Sequence, residues 1–162
     1  MDRKQQVKLL VDDAPKYGVS SQIMEQAVVP VLELFADRLK HWEYFVIQTL
    51  DGDWVLTTLS DRSRPSEQKT IIYAFASLKD AANFQGSSDS KLIATSLPIT
   101  HLLFQVFSLD RLDSIIFMET PGNLNTGTEL RRADLQNLIQ DRLRQLSTFP
   151  QKTSRDLPPN LA

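Results

Sequence analysis

Cysteine is absent from the 162 residues. With it go disulfides, thiolate nucleophiles and the sulfur-ligated class of structural zinc sites, an absence that suits a reducing compartment. Histidine is scarce: His41 and His101 are the only two, far apart in the chain, so a shared metal site is not expected. Long apolar runs are missing as well. Nowhere do about 18 apolar residues follow one another without a charge, so no membrane-spanning helix is expected. Near the start, Leu9-Leu10-Val11 is cut at once by Asp12 and Asp13, too short a run for a signal-peptide core. No sign of charge prevails, with 18 basic against 20 acidic side chains and a formal net charge of -2, which gives no sequence-wide drive toward phosphate backbones or anionic lipid. These absences read as a cytoplasmic protein with no nucleic-acid partner and no cofactor.

What is present is an apolar content of 41% in a chain long enough for one compact domain. Residues 4–11 predict one or two helical turns, ended by Pro15 and Tyr17-Gly18. Ser20 and Ser21 then offer N-caps for a longer helix whose apolar positions recur at three and four: Ile23, Ala27, Val31, Leu34 and Phe35, joined by Met24, Val28 and Leu32. Pro30 predicts a kink or split near Val29. Residues 44–50 and 53–59 read as a hairpin around Asp51-Gly52. A polar loop over 61–69, a strand over 70–75 and a short helix capped by Ser77 follow, its buried side built from Leu78, Ala81, Ala82 and Phe84. Further on come a strand over 91–96, a helix opened by Pro98 with the stripe Ile99, Leu102, Leu103, Val106 and Phe107, a strand over 114–119, a loop to Leu130 and a last helix over 131–146. This order predicts a single α/β domain with a mixed sheet of about five strands and helices packed on it. The segments are an N-terminal helical extension (1–40), the α/β domain (41–147) and a Pro-containing, mobile tail (148–162).

Several motifs touch chemistry without completing it. Gly122 and Gly127 have P-loop separation, but the positions that need Lys and Ser/Thr hold Thr128 and Glu129, and a carboxylate there repels phosphate. Asp51-Gly52-Asp53 resembles a metal-holding carboxylate pair and is better explained by the turn it makes. No Gly-x-Ser-x-Gly elbow or Ser-x-x-Lys motif occurs, so no catalytic residues are expected. Arg131 and Arg132 open the last helix, where the helix dipole disfavours cations, and this points to a partner for them. Phe104 lies off the apolar stripe of its helix and gives that helix a second apolar side. Trp42, Tyr44 and Trp54 gather around the first hairpin, as core or as an exposed aromatic patch, with core favoured.

Two stretches carry a family resemblance. Tyr73-Ala74-Phe75-Ala76-Ser77-Leu78-Lys79-Asp80-Ala81-Ala82-Asn83-Phe84 runs from an aromatic strand into a short helix. Ile115-Ile116-Phe117-Met118-Glu119-Thr120-Pro121-Gly122 leads through Gly127-Thr128-Glu129-Leu130 into the final helix. In this order, over roughly residues 33–146, the chain resembles the SseB-like (SseB N-terminal-type) domain family. It departs where Glu119-Thr120 stands in place of the usual Leu-Asn, and in its N-terminal extension. The resemblance implies a fold and an accessory or interaction role; the family carries no agreed catalytic residues.

The expectation is therefore a non-enzymatic protein that binds another protein or a second copy of itself. Its candidate contact residues are Phe104, His101, Trp42, Arg131, Arg132, Gly122 and Gly127, and the N-terminal helices pack in cis or bind in trans. The alternative is a small-molecule or nucleotide-binding enzyme or sensor that uses the Pro121–Arg132 loop.

Overall fold

The structure, a computed structural model, describes residues 2–61, 63–85 and 91–154. Helix α1 (Arg3–Asp13) begins with a capping box: Gln5 N–H donates to the Asp2 side chain at 2.8 Å, and Asp2 N–H donates to Gln5 Oε1 at 3.0 Å. A 3-10 turn (Ala14–Tyr17) carries on to Gly18, whose φ of +77° closes it in the left-handed region. Ile23 N–H donates to Ser20 Oγ, which starts α2 (Ser21–Ile23). Where a kink or split is expected near Val29, the helix carries a π-turn (Met24–Val28) leading directly into α3 (Val29–Ala36), which has Pro30 in its first turn. Pro30 has no N–H for the Gln26 carbonyl four residues back. Arg142 serves that carbonyl instead, through Nη2 at 2.8 Å and Nε at 3.3 Å.

Among the described residues, six strands form one mixed sheet in the order β4-β1-β3-β5-β6, with β2 beside β3. They are β1 (Glu43–Thr49), β2 (Thr57–Asp61), β3 (Arg64–Phe75), β4 (Leu92–Pro98), β5 (Ser114–Met118) and β6 (Thr128–Arg131). Only β3 and β5 run parallel. The Asp51-Gly52 turn is made, with Gly52 at φ +92° and its N–H on Thr49 O, but the strand after it does not stay on β1. β1 and β3 touch only at Phe45↔Phe75 and Val46↔Ala74, then diverge. Residues 54–57 fill the wedge. Trp54 bridges Gln48 of β1, while Thr57 pairs with Ile71 of β3. The polar stretch from Arg64 to Lys69, expected as loop, is thus the outer half of β3, paired with β2. The segment ahead of the last helix, also expected as loop, holds β6.

Side chains alternate across the sheet. Tyr44, Val46, Ile72, Ala74, Ile115, Phe117 and Leu130 face a large core shared with α1, α3, α5 (Ile99–Ser108) and α6 (Arg132–Ser154). Leu10, Ala14, Met24, Val28 and Leu32 lie in that same core, so the N-terminal helices pack in cis as part of the domain. Phe45, Ile47, Tyr73, Phe75, Ala94, Ile116 and Met118 face the other way, under α4 (Leu78–Gln85). That helix buries Asp80 and Ala81 but leaves Leu78, Ala82 and Phe84 exposed, contrary to the apolar inner side expected of it. α6 runs on to Ser154 with Pro150 inside it, so the tail expected from residue 148 begins as helix; residues 155–162 lie outside the described residues. No helix among the described residues is long and apolar enough to cross a membrane.

Candidate functional site

The C-terminal ends of the parallel strands β3 and β5 are where an α/β sheet most often places a site, and here the two sequence motifs meet. Ser77 Oγ caps α4 by accepting from Asp80 N–H at 3.1 Å. The Asp80 carboxylate, 3% exposed, turns to the loop after β5 and accepts from Gly122 N–H with both oxygens, at 3.1 and 3.0 Å. Gly122 adopts φ +84°. The chain then crosses to Gly127, where an added Cβ would lie 2.6 Å from Ile116 Cγ2 and 3.2 Å from Phe117 O. One glycine is set by backbone conformation, the other by close approach.

Beside this loop, Glu119 is buried at the end of β5. Its Oε1 accepts from the Tyr44 hydroxyl in a very short contact and from Lys40 N–H at 3.2 Å. His41 closes the group: its N–H donates to Tyr44 Oη at 3.2 Å, and its Nε2 lies 2.8 Å from Glu119 O. Burial, then the hydrogen bond and charge of Glu119, raise the Tyr44 hydroxyl well above its ordinary 10. A pocket of about 160 Å³ opens over Glu119 between Lys40, Thr120, Thr126 and Thr128. It is small, its one buried charge is a carboxylate, and the Gly122 amide that would cradle an anion is occupied by Asp80. The loop also leads into a strand, β6, and not directly into a helix as a phosphate-binding loop does. Among the described residues no three His, Cys, Asp or Glu side chains gather as metal ligands would.

The candidate contact residues are scattered rather than brought together. Phe104 is 5% exposed and lies under Tyr17 (ring centroids 5.1 Å) and beside Phe107. The second apolar side of α5 is therefore covered by the 3-10 turn and is no open surface. His101 is half-buried next to it, with Nε2 3.2 Å from Gln6 O, and burial lowers its pKa from 6.5. Gln6 also accepts from Thr100 N–H and Oγ1 at 3.1 and 2.8 Å, locking α1 to α5. Arg132 is spent on structure: it donates to Phe107 O at 3.0 Å, capping α5, and pairs with Asp110. Arg131 is exposed and pairs with Asp134. The partner that the helix dipole called for is thus the chain's own acids and carbonyls. Of the three aromatics near the first turn, Tyr44 is fully buried and Trp54 half-buried, whereas Trp42 is 65% exposed. Its carbonyl accepts from Ile99 N–H at 2.8 Å and from Gln6 Nε2 at 3.3 Å.

A different feature, not anticipated from sequence, opens in the gap of the sheet, with residues of both faces in its walls and Phe84 of the thinly covered face at its rim. Where β1 and β3 diverge, a cavity of about 250 Å³ opens between Ile47, Trp54, Val55, Ile72, Tyr73, Phe84 and Leu92. Its walls are mainly apolar, with Thr57 also among them. Trp54 Nε1 is buried beside it without a hydrogen-bond partner. Phe84 packs on Tyr73 and Phe75 at 4.6 and 5.1 Å yet stays 42% exposed at the rim, with Leu78 54% exposed on the same helix. The signal in the sequence was the pair Leu78 and Phe84 on a helix too short to bury both.

No family model matches the chain, and no curated protein matches it.

Proposed function

We propose that this protein is a non-enzymatic accessory protein of the cytoplasm that binds another protein, inserting an apolar side chain of the partner into the cavity beside Phe84. The observation that carries the reading is that cavity: a hole of about 250 Å³ lined by Trp54, Tyr73 and Ile47 has the exposed Phe84 of α4 in its wall, and the same helix leaves a second large apolar residue, Leu78, exposed. Apolar anchors seated in a desolvated pocket are how protein interfaces concentrate their energy. An engineered apolar cavity of about 150 Å³ holds benzene, so this one has room for a partner's Phe, Leu or Met. The polar network around Glu119 supports the non-enzymatic part, because each of its groups is turned to another of them and to the backbone. The resemblance to SseB-like domains points the same way.

The test uses tagged full-length protein as bait in its native cells, with Phe84→Asp and Leu78→Asp as parallel baits. A protein captured by the wild type and lost from both variants, each shown folded by circular dichroism, is the expected result. Capture of the same proteins by all three baits would reject this surface.

A further inference from the structure

Among the described strands, all the free edges of the sheet but one are blunted. β6 is four residues long and carries Glu129 and Arg131. β2 ends at Asp61, and the outer half of β3 carries Glu67 and Lys69. Short length and charge are the devices that keep such edges from pairing with another chain. β4 has neither. It runs Leu-Ile-Ala-Thr-Ser-Leu-Pro from Leu92 to Pro98 without a charge, pairs with β1 along all seven residues, and pairs with no described strand on its outer side. Ile93 is 44% exposed on it.

The ladder fixes which groups point outward. Ile99 N–H donates to Trp42 O at 2.8 Å and opens the β1–β4 ladder. Residues at even spacing from Ile99, namely Leu97, Thr95 and Ile93, therefore turn their backbone groups to β1, and Leu92, Ala94 and Ser96 turn theirs outward.

We propose that a second copy of this chain adds its own β4 to this edge, antiparallel, about a two-fold axis through Thr95. The strand is complementary to itself under that rotation. Thr95 meets Thr95 of the other copy and Ile93 meets Leu97, pairings that stabilise antiparallel sheets. On the opposite face Ala94 meets Ser96, and both have outward N–H and C=O groups to exchange. Pro98, which lacks a donor, falls at the margin opposite Leu92. An edge without charge offers nothing to select an oppositely charged strand and meets no like-charge repulsion from its own copy. The result is a closed isologous dimer with one sheet running through both copies. This interface lies along the sheet rather than on the face that carries Phe84, so it stands independently of the function proposed above.

Purified full-length protein decides it. Sedimentation velocity over a concentration series should show a dimer for the wild type and a monomer for Ile93→Lys and Ala94→Pro, the latter removing an outward N–H without touching the β1 ladder. Thr95→Cys, in a chain with no other cysteine, should form an intermolecular disulfide under mild oxidation. Opposed Cα atoms at a non-hydrogen-bonded pair lie roughly 4.5 Å apart, within disulfide reach. A wild type that stays monomeric throughout overturns the proposal. So does a dimer that survives in folded Ile93→Lys and Ala94→Pro, and so does a dimeric Thr95→Cys that does not cross-link. Should both substitutions unfold the chain, the cross-link decides alone.

Discussion

Arg142 of α6 donates twice to the carbonyl of Gln26, at 2.8 and 3.3 Å. That acceptor is the one that Pro30 would serve in an unbroken helix if it had an N–H. A backbone defect in the second helical segment is thereby repaired by a side chain from the far end of the fold. The arrangement ties the N-terminal helices to α6, as the buried Gln6–Thr100 contacts tie them to α5.

Arg142→Met should therefore lower stability by about 1 kcal/mol, the loss of a hydrogen bond to an accessible carbonyl. In a Pro30→Ala background the new N–H can serve Gln26 itself, and the same substitution should cost close to nothing. Urea unfolding of the two singles and the double variant reads this coupling.

The two loop glycines should fail differently. Gly122→Ala meets no atom within 4 Å but must hold φ +84°, at a cost of about 1–2 kcal/mol, and Gly122→Asn should cost less because Asn tolerates that region. Gly127→Ala has no positive φ to hold. Its Cβ would press into Ile116 and the Phe117 carbonyl, an overpacking cost of about 1–3 kcal/mol that Asn would only worsen. Thermal unfolding of the four variants separates strain from crowding.

Stability should fall on mild acidification through His101. Burial holds its folded-state pKa below 6.5, so the unfolded chain binds the proton more readily. The stabilisation is complete well above 6.5 and is lost as pH falls from there toward the depressed folded value. Comparing unfolding at about pH 7.5 and about pH 5.5 should show this drop in the wild type and a smaller one in His101→Gln. Glu129 acts in a separate, more acidic window. Hydrogen bonds from Lys69 and Ser114 lower its pKa from 4.5, so its contribution holds above 4.5 and fades below it.

The fold class was legible because its main elements are periodic. The stripe from Ile99 to Phe107 and the apolar runs at 44–50 and 114–119 each state their period plainly. What escaped was non-local. Arg64 to Lys69 belong to a strand but carry no apolar alternation to mark it, and Ser66, Glu67 and Gln68 are exposed on both of its faces. β6 is four residues long and polar but for Leu130. Phe104 read as exposed because Tyr17, which covers it, comes from a 3-10 turn at the other end of the chain. The cavity beside Phe84 arises where β1 and β3 part around residues 54–57, a geometry that no local window contains. The motif pair, by contrast, was visible as two stretches, although nothing in sequence said that Asp80 of one would hold Gly122 of the other.

The most direct test of the protein-binding account is photo-cross-linking in native cells, with a benzophenone amino acid at position 84 and, as a control, at exposed Ser66 on outer β3. The account predicts one discrete adduct with another protein from position 84 and none from position 66. No adduct from position 84 beyond one with a second copy of the chain, or the same adducts from both positions, would contradict it.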